Sequence, residues 1–77
     1  MWDHGYFTLD GEELFYQAKV YEEGSKYGIN GGRVSKLGIR FDDEVKQVIV
    51  YYDREWVIKP KTELANKALN HVLELYK

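Results

Sequence analysis

The chain has no cysteine, one proline and one methionine, and its only histidines, His4 and His71, stand near opposite ends. Without thiols there is no disulfide and no thiolate metal site, a composition suited to a reducing cytoplasm. A zinc centre built on two such distant histidines would need carboxylates gathered from elsewhere, so no metal is expected. No apolar run approaches the ~18 residues that cross a bilayer. The opening Trp2-Asp3-His4 lacks the basic and then apolar regions of a secretory leader, so the reading is a soluble cytoplasmic chain with no membrane partner. Nucleophilic chemistry is as poorly supplied: Ser25 and Ser35 have no histidine at a suggestive spacing. No catalytic residue, no cofactor and no enzymatic activity are expected.

What the chain does have is aromatic residues, glycine and a segregated charge. Seven Tyr, three Phe and two Trp in 77 residues offer large buried areas to a domain whose size leaves little stability margin. This length makes a single domain, residues 1–77. Residues 1–23 set six acids against Lys19 alone, whereas residues 24–41 hold Lys26, Arg33, Lys36 and Arg40, no acid, and five of the seven glycines. A basic, glycine-rich centre in a chain of net charge −2 points to a site for something anionic. The overall acidity argues against indiscriminate nucleic-acid binding.

The patterning predicts an α+β fold: a four-stranded antiparallel meander with one C-terminal helix packed on a face, in the order ββββα. Asp10-Gly11 marks a turn between Tyr6–Leu9 and the run Leu14 to Tyr21. In that run Leu14, Tyr16, Ala18 and Val20 share one face, and Phe15, Gln17, Lys19 and Tyr21 the other. A long connection, Glu22 to Gly32, contains Asn30-Gly31, a pair suited to positive φ. From Val34 to Phe41 the alternation sets Ser35, Leu37, Ile39 and Phe41 against Val34, Lys36, Gly38 and Arg40. Asp42-Asp43-Glu44 reads as a solvated turn, since it lacks the spacing of a calcium loop. The strand Val45 to Asp53 follows, with Val48, Val50 and Tyr52 on one side and Ile49 and Tyr51 on the other. Being apolar on both sides, it predicts that the face away from the helix meets a partner, a ligand or a second copy of the chain. Arg54 to Lys59 leads to Pro60, Thr62 is placed as an N-cap, and Leu64, Ala65, Ala68, Leu69, Val72, Leu75 and Tyr76 recur at helical spacing.

Three groups of residues carry the functional expectations, each with a plainer alternative. The loop Gly28 to Arg33 can present successive amides as a nest for an anion, closed by Arg33; alternatively its glycines serve the loop's own geometry. It lacks the Lys-Ser/Thr ending of a phosphate-binding loop, and no helix follows it. Lys19, Lys36 and Arg40 with Phe15, Tyr21 and Tyr51 can share the open sheet face, where interleaved rings and cations stack bases and hold phosphates. The alternative there is a dimer interface or a solvated face. Asp53-Arg54-Glu55-Trp56 can orient a guanidinium and offer an indole platform, or be a core Trp beside a surface ion pair.

The segments Tyr27-Gly28-Ile29-Asn30-Gly31-Gly32-Arg33-Val34-Ser35-Lys36-Leu37 and Tyr52-Asp53-Arg54-Glu55-Trp56 resemble a family of small uncharacterised proteins of Gram-positive bacteria and their phages. The likeness extends from about Tyr6 to the final helix. It departs at Glu55, where the pattern more often has Gly, and at Gly38, where it has a large aromatic. The first departure argues against a tight turn after Arg54; the second opens space on the third strand. The resemblance implies a setting in mobile elements, where small acidic proteins often bind and block, and it supplies no catalytic residues.

The function expected from these readings is non-enzymatic counter-defence by a homo-oligomer that sequesters an anionic signal nucleotide or blocks a host immune protein. In the first form, the Gly31 and Gly32 amides with Arg33 and Lys36 hold phosphate, Tyr27 or Trp56 stacks on a base, and Asn30, Arg40 and Arg54 complete the ligand-binding set. In the second, the acidic N-terminal third meets a basic partner. The alternatives are a single-stranded nucleic-acid binder using the open sheet face and a structural accessory module.

Overall fold

A computed structural model describes all residues, 1–77. Its strands are β1 (Trp2–Leu9), β2 (Glu12–Val20), β3 (Val34–Phe41), β4 (Val48–Asp53) and β5 (Trp56–Ile58), followed by the helix α1 (Glu63–Leu75). The strands form one sheet in the order of the sequence, and every neighbouring pair is antiparallel. The class is α+β as the patterning predicts, with five strands rather than four.

The fifth strand arises from a turn that the sequence argued against. Arg54 adopts a left-handed φ of 63° although it is not glycine. Its amide donates to the Ser35 carbonyl at 3.0 Å, and the Asp53 amide donates to the Glu55 carbonyl at 2.9 Å. Those bonds let the chain reverse without a glycine at position 55, so that Trp56 pairs with Tyr52 and Ile58 with Tyr51. The other boundaries also move. β1 begins at Trp2 rather than Tyr6, and β4 begins at Val48 because Lys46 takes a φ of 55° and ends the loop.

Two bulges revise which residues share a face. Between Lys19 and Val20 the β2–β3 register slips, so Val34 pairs with Val20 and is buried instead of lying beside Lys36. Between Ile39 and Arg40 the β3–β4 register slips, so Val48 pairs with Arg40 and is exposed, apart from Val50 and Tyr52. A bulge inserts one residue into one strand, and every assignment beyond it reverses.

The core lies between one sheet face and α1. Leu14, Leu37, Ile39 and Val50 from the strands and Val72 from the helix are the largest fully buried side chains. Ala65, Ala68 and Leu69 complete the helical stripe, while Leu75 faces solvent despite its spacing. Thr62 caps α1, its Oγ1 accepting the Ala65 amide at 3.0 Å. At the other end, His71 stacks on Phe7 with centroids 4.4 Å apart. The helix is not long and apolar enough to cross a membrane.

A polar chain closes the helix against the outer strands. The Tyr16 hydroxyl meets the Tyr76 hydroxyl at 2.8 Å, and Tyr76 in turn donates to Asp3. Gly5, opposite Tyr16 in the ladder, leaves the space that the Tyr16 ring occupies. The Tyr76 bond, followed by the His4 amide at 2.9 Å, holds the Asp3 carboxyl below its usual range. Burial and the bond to Asp3 push the Tyr76 phenol up.

Ile39→Ala should cost about 2–5 kcal/mol in a urea titration, a large share of the ~5–15 kcal/mol typical of a domain; a loss under about 1 kcal/mol would mean that the site collapses to fill the void. Asp3 is more acidic folded than unfolded, so its contribution is present above its unfolded value of about 3.9 and disappears as the pH falls through the lower folded value. Asp3→Asn should therefore flatten the acid limb of the stability curve, and an unchanged slope would show that the contact is without consequence.

Candidate anion-binding site

The glycine loop folds back on itself. A 3₁₀ turn, Ile29–Gly31, carries Asn30 at φ 54° and Gly31 at φ 72°, the positive pair that Asn-Gly predicts. The Gly31 amide donates to the Gly28 carbonyl at 3.0 Å and the Gly32 amide to the Ile29 carbonyl at 2.9 Å. Both donors assigned to an anion nest are therefore engaged within the loop. A Cβ on Gly28 would collide with the Gly32 carbonyl, and one on Gly24 with that of Gly31. The glycines serve close backbone contact.

Arg33 is likewise engaged. Its Nε donates to the Tyr21 carbonyl at 2.9 Å and its Nη1 to the Lys77 carbonyl at 3.3 Å, stitching the end of β2 to the residue beyond α1. Asn30, Gly32 and Arg33 border a hollow shared with Leu73 and Tyr76, on the side of the sheet that carries the helix. Trp56 lies there too, half-buried and edge-on to Tyr52 with centroids 5.0 Å apart, so it packs against the core and is not an open platform.

The remaining expected residues separate into two places on the opposite face. Tyr27, Lys36 and Arg54 converge with Lys19, Tyr21, Ser25 and Ser35 around a hollow of about 220 Å³. Arg40 borders a second hollow, next along the sheet. The first is built by three elements. β2 and β3 place Lys19 beside Lys36 in one register row. The turn after β4 brings Arg54 over the Tyr27 ring, guanidinium carbon to centroid 4.8 Å. The loop supplies Tyr27 itself, whose carbonyl accepts the hydroxyl of the buried Tyr52 at 2.8 Å. That bond ties an exposed ring to the middle of the core.

Charge in this hollow is only partly compensated. Lys36 Nζ stands 3.5 Å from Asp53 Oδ1, at a site open enough for water to weaken the pair. Lys19 and Arg54 belong to no ion pair. They lie instead over tyrosine rings, Lys19 Nζ being 5.6 Å from the Tyr21 centroid. Cations on ring faces keep their charge available to a ligand. Two hydroxyls also line it: Ser35 Oγ donates to the Lys19 carbonyl at 3.5 Å, whereas Ser25 Oγ accepts the Tyr27 amide at 3.2 Å and keeps its own hydrogen for a ligand.

Tyr27, Lys36 and Arg54 are expected ligand residues, Lys19 and Tyr21 belong to the separately expected open-face group of rings and cations, and Ser25 and Ser35 have no expected role. Lys19 and Tyr21 were signalled by their alternation with Phe15 and Gln17 on the open face. Ser25 and Ser35 had no signal, because a loop closure and a bulge bring them in.

A model of the family described as Domain of unknown function (DUF7678) matches residues 1–77. No curated protein and no solved structure matches the chain.

Because its tight contact is with backbone, Gly28→Ala should lower stability by about 1–3 kcal/mol, an overpacking cost, measured by thermal or urea unfolding. Stability equal to that of the parent chain would show that the loop has room to open.

Proposed function

We propose that this chain, which belongs to the family described as Domain of unknown function (DUF7678), is a non-enzymatic binding module that captures a small anionic, nucleotide-like ligand between Lys19, Lys36 and Arg54. The observation that carries the reading is the convergence of three cations, two tyrosine rings and two serine hydroxyls on one hollow in a chain of net charge −2. A surface that is acidic elsewhere repels anions, so a local concentration of positive charge directs them to one place. The guanidinium of Arg54 supplies a planar fork for two phosphate oxygens, while the ammonium groups add point charge. Tyr21 and Tyr27 form walls against which the rest of a ligand can lie.

The likeness of Tyr27–Leu37 and Tyr52–Trp56 to small proteins of Gram-positive bacteria and their phages suggests the setting. In the cytoplasm of such a host, a small protein of this kind would act in counter-defence by withholding a signal nucleotide. Capture needs affinity and abundance but no turnover, in keeping with the non-enzymatic reading.

Titration calorimetry with inorganic pyrophosphate tests the site directly. Arg54→Gly is the preferred variant, because glycine suits the left-handed backbone there and leaves the turn intact. Affinity should fall by about tenfold in Arg54→Gly and again in Lys36→Ala, the scale of one charged hydrogen-bonding contact. Raising the salt should weaken binding to the parent chain more than to either variant. Equal affinity of parent and Arg54→Gly chains would overturn the assignment.

A further inference from the structure

We infer that the second hollow on the open face holds the planar base of the same ligand, so that the domain recognises a mononucleotide-sized molecule in two halves. The phosphate half rests on the reading of the cationic pocket given above; the base half stands on separate residues. Gly38 sits in the middle of the central strand, and a Cβ placed on it meets nothing within 4 Å. The missing side chain leaves a depression of about 270 Å³ walled by Phe15, Arg40, Val48, Tyr51 and Ile58.

The two hollows are adjacent in the ladder. Lys19 and Lys36 are register partners, and the next row on the same face is Gln17 and Gly38, with Tyr51 beyond them. Two residues along a strand span about 7 Å, the order of reach from a nucleotide's phosphate across its ribose to the base. Each hollow, about 270 and 220 Å³, is smaller than the ~300–1,000 Å³ of small-molecule sites, so a ligand of that size would have to span both. The walls suit a flat heteroaromatic ring. The Arg40 guanidinium carbon lies 4.4 Å from the Phe15 centroid, and Tyr51 is open to solvent across the depression. Rings and guanidinium planes are the surfaces on which unpaired bases stack. Gln17 adds an exposed amide at the junction, with donors and an acceptor for a base edge.

Charge at the margins favours a compact ligand over a strand. Glu13 and Asp42 lie past Phe15 and Arg40 at one end of the face, and exposed Glu22 and Glu23 follow Tyr21 at the other. A longer polyanion would bring its further phosphates against these carboxylates.

The test is titration calorimetry at one fixed salt concentration with adenosine, guanosine and uridine monophosphates, ribose 5-phosphate and adenosine, using the parent chain, Gly38→Phe and Arg54→Gly. Gly38→Phe fills the depression from a position with ordinary φ and free space, and thermal unfolding should show it at least as stable as the parent; Tyr51→Ala, which removes a wall, is the second variant. At least one nucleotide should bind the parent about tenfold or more tightly than ribose 5-phosphate. Gly38→Phe and Tyr51→Ala should erase that advantage without changing ribose 5-phosphate affinity, and Arg54→Gly should weaken every phosphorylated probe. Nucleotides binding no better than ribose 5-phosphate would overturn the base site while leaving the anion pocket standing. Adenosine binding that depends on Gly38, with phosphate adding nothing, would overturn the anion pocket and keep the base site. A short oligonucleotide binding about tenfold more tightly than any mononucleotide would overturn the compact ligand in favour of a strand. Absence of binding by all probes would overturn both halves.

Discussion

One helix of 13 residues has to cover a five-stranded sheet, and it can cover only one face. Everything else in the molecule answers to that limit. On the covered face, branched aliphatic residues of β2, β3 and β4 meet a narrow stripe of Ala65, Ala68, Leu69 and Val72. Small residues bring the helix close, so aromatic side chains fill the margins. Phe7 reaches His71, Trp56 meets Tyr52, and Tyr16 reaches Tyr76. The tyrosines contribute a hydroxyl as well as a ring, and each buried one is used, so that no buried side-chain polar atom lacks a partner. A small domain without disulfides gains from such residues because one side chain supplies both area and a directed bond.

The other face remains open, and the glycine-rich segment shapes one end of it. Its tight backbone contacts make the loop a compact unit, and Tyr52 fastens that unit to the core at the Tyr27 carbonyl. Tyr27 is thereby presented to solvent from a firm base, within reach of the Arg54 guanidinium. The loop thus acts at one remove: its Gly31 and Gly32 amides are bonded within the loop, and its fold sets the position of a ring that borders the cationic pocket. Arg33, the most obvious cation in the segment, belongs to the same scaffold through the Tyr21 and Lys77 carbonyls.

Much of this was legible in the sequence, and the misreadings share a cause. Strict alternation gave the faces of β2 correctly, and Thr62 with the Ala65-Ala68-Leu69-Val72 spacing gave the helix and its buried side. Alternation failed at Val34 and Val48, where bulges shift the register without any mark in composition. The fifth strand was missed because Arg54-Glu55 carries no standard turn residue; the amide bond to the Ser35 carbonyl, a contact between strands, holds the reversal. Site residues divide in the same way. Lys19, Lys36 and Arg40 follow from face assignment, whereas the pairing of Arg54 with Tyr27 depends on two loops that meet only in three dimensions. Glycine-rich sequence next to arginine suggested an anion nest, but the direction of each amide is a tertiary property.

Arg54 occupies the left-handed region with a full side chain, a conformation that costs a non-glycine residue about 1–2 kcal/mol. The residue that contributes the guanidinium is therefore also the one whose removal relaxes the backbone. Any redesign guided by stability alone would be drawn to glycine at this position and would erase the pocket's forked cation while improving the fold. The domain holds that charge at a point of conformational tension, where relaxing the backbone and keeping the guanidinium compete for a single residue.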